Sequence, residues 1–491
     1  MNDLKSTEDY KFLAELTWGG TCRTLYAPCK IFLPKKVRER PRLVFYPDTD
    51  TFRLLIYAKD CELRGSLGNG PGSITTKASD VRLGDGNQRR WGDGLDEGYI
   101  LGYPKQLLID RNMGQDVGNK SASFYFTESL LLSPFDLLTQ KYDGTVEVEH
   151  VSKVQFRLNA NCLLSFEYEY RYDSGGSSET RSWRELVART DLDLLPAGIS
   201  PEDLLPHIDD FLLLVSLAEG RRCACLEVVW SQQDQLLHLF RLDRTIPEER
   251  ANHSINDCLI VNIKEELEPF LKKSYDTLRN FPEKNLLWSA LASITWFKQS
   301  TIGDDFLRLF TALETLVLAF RRINGLELAV QDDAIRNEIQ KDVKKFLHGH
   351  HLLKDGTNSS RGMLYENIPG LFHISLKRAT EAFVETYKIR LDDVWPLFDT
   401  STGWSLLNIR NKIVHGEHFS EGEWFDLMEA KMSLRVIAER FLLSMLGWDY
   451  QKTRVHWGNS ATEGWKAAQT RLSEQAGGKE EGLQISDLPQ G

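Results

Sequence analysis

Over residues 10–190, apolar positions come in short runs broken by glycine, proline and aspartate, not in long helical stripes. Leu43-Val44-Phe45-Tyr46 and Phe52-Arg53-Leu54-Leu55-Ile56-Tyr57 are two such runs, and the Pro47-Asp48 between them signals a turn. The pattern predicts strands of an antiparallel meander here, with further strands at 123–127, 145–156 and 163–172. Two glycine-rich segments, 65–73 and 84–98, read as loops, and neither carries the lysine plus serine or threonine of a phosphate-cradling P-loop.

After Pro196 the period changes. Pro201-Glu202-Asp203 opens a helix in which Leu204, Leu205, Ile208, Phe211, Leu212 and Val215 recur at helical spacing, and Gly220 stands where it should end. Strands are expected at 223–230 and 236–242. From Pro282 onward the stripes are helical: Leu286, Leu287, Ala290, Leu291, Ile294 and Phe297 form one, and Phe306, Phe310, Leu313, Val317 and Phe320 a second. A charged helix over 327–347, one over 371–389 and a short one over 404–414, closed by Gly416, come next. The last and longest helix starts at a Ser420/Glu423 capping box, lines one face with Leu427, Met428, Leu434, Ile437, Phe441 and Met445, and stops at Gly447.

The expected fold class is α+β and multidomain. A β-rich N-terminal region over 1–198 leads through a connecting α/β subdomain, 199–281, to an all-α antiparallel helical bundle over 282–450. Residues 451–491 are polar and read as a flexible tail with a turn of helix near Lys466. Nothing in residues 1–281 suggests catalysis, which assigns that part by elimination to sensing, regulation or assembly.

With 491 residues the chain is long enough to bury cores without staples. Its seven cysteines (22, 29, 61, 162, 223, 225 and 258) include no CxxC pair, and no signal peptide is read at the start, so a reducing cytoplasm is the expected location. The longest apolar stretch runs from Phe211 to Ala218, far short of the roughly 20 residues a membrane helix needs, and no membrane partner is expected. A net charge of -11 argues against sequence-blind coating of nucleic acid, so any RNA contact must be local.

An arginine precedes a histidine by four to six residues only once, in Arg410-Asn411-Lys412-Ile413-Val414-His415, with Gly416 next. The pair combines a permanent, planar cation that suits phosphate with a group that exchanges protons near neutral pH. Together they meet the needs of RNA cleavage without a metal. The plainer reading is a surface arginine and a helix C-terminal histidine favoured by the helix dipole.

The stretch from Asn408 to Gly416, with Thr311-Ala312-Leu313-Glu314 before it and the long helix ending Met445-Leu446-Gly447-Trp448 after it, resembles the ApeA-like HEPN domain over roughly residues 282–450. Arg410, Asn411 and His415 match the R-x4-6-H signature of that family, whose members include dimeric ribonucleases of prokaryotic toxin and antiphage systems. The resemblance implies a metal-independent RNA endonuclease acting in bacterial antiphage defence by abortive infection, with the N-terminal region as sensor or regulator. It implies no cofactor and no metal. The implied partners are an RNA substrate, a second copy of the chain through the bundle, and a phage component for the N-terminal region. His415 is then the candidate general base or acid, Arg410 the stabiliser of the phosphorane, and Asn411 the residue that orients substrate or imidazole. The alternative is a non-catalytic HEPN module that binds nucleotide or dimerises within a regulatory protein.

Five residues along an ideal helix turn the chain by about 140°, so Arg410 and His415 do not share a face. Either the last turn unwinds, or the motif meets its copy across a two-fold axis in a shared cleft. Glu314, on a largely apolar helix, needs a partner. It either holds Arg410 or joins a structural ion pair. His418 is a supporting candidate or a solvated loop residue. His348, His350 and His351 resemble a metal cluster only on paper, without a carboxylate and cysteine set nearby. Cys223 and Cys225 share a strand face and read as core. The basic positions Lys35, Lys36, Arg38, Arg40 and Arg42 and the Arg89-Arg90-Trp91 segment read as solvated charge in preference to an RNA or phage contact.

Overall fold

The computed structural model describes residues 10–17, 24–34, 39–57, 60–68, 72–90, 96–114, 120–133, 136–140, 146–150, 154–158, 162–173, 181–196, 198–241, 258–260, 263–295, 301–350, 358–398, 404–457 and 470. Cys22, Lys35, Lys36, Arg38, Trp91, Phe297, His351 and the turn expected near Lys466 lie outside them, as do the side chains of Arg89 and Arg90. The protein is mixed α/β and divides into two compact units, 1–257 and 258–491.

The first unit contains β1 (Tyr10–Thr17), β2 (Thr24–Phe32), β3 (Arg42–Phe45), helix α1 (Thr49–Tyr57), β4 (Asp60–Leu67), β5 (Ile74–Arg90), β6 (Asp96–Tyr103) and β7 (Gln106–Asn112). It continues with β8 (Ser121–Phe126), β9 (Asp136–Gln140), β10 (Val146–His150), β11 (Val154–Arg157), β12 (Leu163–Asp173), β13 (Arg181–Asp191), helix α2 (Pro201–Glu219), β14 (Cys225–Gln232) and β15 (Gln235–Arg241). Long β5 serves twice: its first part pairs with β7 and its last part with β6, all antiparallel. Because β6 returns through β3, β2, β1 and β4 to β5, these strands close into a barrel. Alternation fills it with Leu16, Ile31, Phe45, Leu63 and Val81. From β7 the sheet runs outward through β15, β14, β8, β13 and β12 to β11.

Three expectations change here. Residues 52–57 form the end of helix α1, not a strand. Asp48 accepts the Thr51 N–H at 2.8 Å and starts the turn, and Phe52 and Leu55, three apart, are buried while Leu54 is exposed. That is a helical burial pattern, which a run this short hides. Second, most of 84–98 is not a loop, since β5 reaches Arg90 and pairs there with Asp96. Likewise β4 carries Gly65 within a strand, because a Cβ there would collide with the Phe12 ring. Third, residues 199–281 are shared between the two units. Strands β14 and β15 occupy the middle of the large sheet, and α2 packs on it, with the Phe211 ring 4.3 Å from and tilted to that of Phe156 of β11 and 6.0 Å from Phe166 of β12.

The second unit is helical: α3 (Ile263–Asn280), α4 (Lys284–Ile294), α5 (Ile302–Ile323), α6 (Asp333–Gly349), α7 (Asn358–Asn367), α8 (Leu376–Tyr387), α9 (Leu406–Val414), α10 (Glu421–Met445) and α11 (Arg454–Trp457). Helix α5 is the hub, touching α4, α8, α9 and α10. Its Phe320 packs tilted against Phe383 of α8 at 4.9 Å, and Phe383 in turn stacks on Phe441 of α10 at 4.3 Å. Helix α10 is not amphipathic as expected: Asp426, Ser433, Glu439 and Arg440 are buried beside its apolar residues, and Met428 is 37% exposed. Buried charge there is paired, Arg440 gripping Asp393 through two hydrogen bonds of 2.6 and 2.8 Å. Among the described residues no helix is long and apolar enough to cross a membrane.

Candidate functional site

The motif occupies the second half of α9, a helix of two and a half turns, with His415 as its C-cap. Ser405 caps its start by accepting the Asn408 N–H at 3.2 Å, and Leu406 and Ile409 are buried against α5. Taking Leu406, Ile409 and Ile413 as the packed stripe, the 100° step puts Arg410 about 60° from its centre and His415 about 160° from it. Burial follows: Arg410 and Asn411 are half-buried, while His415 is exposed.

The end of α9 is helical up to its cap, not unwound. His415 keeps the helical bond, its N–H reaching the Asn411 carbonyl at 2.9 Å. Gly416 takes φ +69, and the N–H groups of Gly416 and Glu417 bond to the carbonyls of Ile413 and Lys412 at 3.1 and 3.0 Å. This is a complete Schellman cap, and it leaves the imidazole on the opposite side of the helix from α5. Of the two ways around the 140° problem, unwinding is not the one this structure shows.

Arg410 donates from Nη1 to Asn411 Oδ1 at 3.1 Å. Glu314 does not approach it. A Cβ at Gly303 would lie 3.6 Å from Ile413 Cγ2, so the first turn of α5 meets the last turn of α9. Glu314 is then about 16 Å along α5 from that contact, and Arg410 only about 4.5 Å along α9. Glu314 is half-buried, and among the described residues it has neither a hydrogen bond nor an ion pair. His418 is exposed in the turn between α9 and α10.

The motif residue that does organise the neighbourhood is Lys412, which was given no role from the sequence. Its ammonium lies 2.8 Å from Glu423 Oε1 and 4.6 and 5.5 Å from the ring centres of Phe419 and Trp404. Glu423 also accepts from the Ser420 N–H at 2.6 Å and hydroxyl at 2.8 Å, completing the expected capping box. Burial opposes the Glu423 charge, but Lys412 and Ser420 outweigh it and hold the carboxyl down at about 2. Around this staple, Val414, Trp424, Phe425 and Met428 are exposed apolar side chains, Trp424 lying 6.2 Å from Phe419. A run of such residues on the first two turns of a helix is unusual for a solvated face.

The remaining candidates lie apart from this site. His348 is exposed and His350 packs edge-on to Phe346 at 5.5 Å, and among the described residues no group of three or more His, Cys, Asp or Glu gathers as a metal site. Cys223 and Cys225 are buried, which pushes both thiols up. Arg42 lies over the Phe32 ring at 5.0 Å, and Arg40 is exposed. Comparison of the chain with protein-family models, with curated proteins and with solved structures finds no match in any of the three.

Proposed function

We propose that the protein is a metal-independent RNA endonuclease of the HEPN type, whose cleft takes Arg410 from one copy of the chain and His415 from another. The observation that carries this reading is the motif itself: an exposed histidine at the capped end of a helix whose arginine emerges about 140° away. Exposed Trp424, Phe425 and Met428 beside it supply apolar surface that a second copy would cover. In such a cleft His415 exchanges a proton with the 2'-hydroxyl or the leaving 5'-oxygen, the 2'-oxygen forms a bond to phosphorus as the P–O5' bond breaks, and Arg410 stabilises the phosphorane. Asn411 holds the guanidinium or the substrate. The protein then acts in antiphage defence by abortive infection, with the N-terminal unit sensing a phage component; the resemblance described above supports this setting.

The test compares wild type with Arg410→Ala and His415→Ala, following cell growth and total RNA on a gel, with EDTA in the purified reaction. Cutting by wild type alone, undiminished by EDTA, is expected. Cutting retained by either variant ends the nuclease reading. A second reading, a non-catalytic HEPN module that binds nucleotide or dimerises, is favoured by the separation of Glu314 from Arg410. On that reading RNA stays intact in all three cases.

A further inference from the structure

In the first unit, a pocket of about 450 Å³ lies between α2 and the sheet face formed by β4, β5, β7 and β15. Its size falls within the range of small-molecule sites, roughly 300–1,000 Å³. Strand alternation builds it: Leu107 and Ile109 of β7, Leu63 of β4 and Ala78 of β5 belong to the barrel core, while their neighbours Gln106, Leu108, Arg64 and Lys77 are on the pocket side. Leu108 and Leu239 make an apolar floor, and Leu205 and Pro206 of α2 form the facing wall.

Arg64 and Lys77 stand directly opposite each other on β4 and β5. Facing positions on antiparallel strands are about 5 Å apart at Cβ, and like charges there repel. Among the described residues neither has a hydrogen bond or an ion pair. Asp110, on the same face of β7, feels the Lys77 charge, but burial dominates and its carboxyl is raised. Glu15 stands opposite Arg64 on β1 without forming an ion pair with it, and the remaining acids are committed elsewhere or lie across the pocket. Asp209 holds Arg241 through two bonds of 2.8 and 2.7 Å, Glu62 accepts the Asp80 N–H at 3.4 Å, and Glu202 sits on the α2 wall. Pro206 has no N–H to give the Glu202 carbonyl, so residue 202 offers both a carboxylate and a main-chain oxygen at that end. The pocket thus has two juxtaposed cations at one side, an apolar middle and hydrogen-bond acceptors at the other.

We propose that this pocket binds a small phosphorylated ligand of nucleoside monophosphate size, its phosphate between Arg64 and Lys77 and its N–H donors toward Glu202. This site is independent of the RNA-cleavage reading. Calorimetry on the full chain with AMP, GMP, inorganic phosphate and adenosine tests it, alongside Arg64→Gln and Lys77→Gln, with unliganded melting as the folding control. A nucleotide should bind more tightly than phosphate or adenosine, and each substitution should weaken it by about tenfold or more, the loss of one charged hydrogen bond. Adenosine binding as tightly as AMP, phosphate binding as tightly as either nucleotide, unchanged affinity in both variants, or no heat with any probe at millimolar concentration would each overturn it.

Discussion

Lys412 and Glu423 meet at 2.8 Å across the turn that joins α9 to α10, so the motif helix is clamped to its successor by a residue inside the motif. The clamp has a definite pH dependence. Glu423 is held at about 2 against an ordinary 4.5, so its stabilisation is fully present above about 4.5 and is lost as pH falls toward 2. Lys412→Met should lower the stability of the second unit by up to about 1 kcal/mol near neutral pH. In urea titrations the gap from wild type should close as pH approaches 2. A gap that stays constant with pH would mean that Lys412 acts through its packing on Phe419 alone.

The buried pair is a stronger case. Arg440 is 1% exposed and bonds Asp393, the Arg390 carbonyl and the Val455 carbonyl. Burial opposes the Asp393 charge, yet Arg440 and Arg390 hold its carboxyl down at about 2. Arg440→Met leaves that carboxylate buried without its main partner, and a loss of about 3–5 kcal/mol is expected in urea unfolding near neutral pH. The loss should shrink below about pH 4, where the variant can protonate Asp393. The double variant with Asp393→Asn should recover part of it, whereas equal instability of single and double variants would place the cost in packing.

These residues also mark what the sequence makes legible. Caps are local, so Gly220, Gly416 and Gly447 all take the positive φ expected of them, and both the Ser420/Glu423 box and the α2 start are found where they were read. Pairing at long range is not local: nothing in 225–241 announces that β14 and β15 lie in the middle of the sheet, between β8 and β7. Helix α3 has no counterpart among the expected elements; it carries Pro269 inside it, and Phe270, Leu271, Tyr275 and Leu278 are its buried residues. Arg440 carries no local sign of its partner, because Asp393 is 47 residues away. The motif was legible, but the Lys412 partner, eleven residues on, and the pocket built from residues 62–241 were not.

If Trp424, Phe425 and Met428 are covered by a second copy, charge placed there should separate the copies without unfolding either. Trp424 and Phe425 are 46% and 51% exposed, so about half of each side chain is available to a partner. Sedimentation velocity should show wild type as a dimer at micromolar concentration and the Trp424→Asp/Phe425→Asp variant shifted to monomer, with near-unchanged melting. RNA cleavage should fall in parallel. A wild type that is monomeric at every concentration removes the shared cleft.

The division of labour between copies can be read directly by mixing inactive variants. In an Arg410→Ala dimer neither cleft has an arginine, and in a His415→Ala dimer neither has a histidine. A heterodimer of the two has one cleft with both groups and one with neither, provided each cleft draws its arginine and histidine from different chains. After subunit exchange at equal concentrations, half of the dimers are mixed, and about a quarter of wild-type cleavage should return. If instead both groups of a cleft came from one chain, every cleft in the mixture would lack one of them and activity would stay at the level of the separate variants. The closed cap at Gly416 and the 140° between the two positions favour recovery, because they put Arg410 and His415 on different sides of α9.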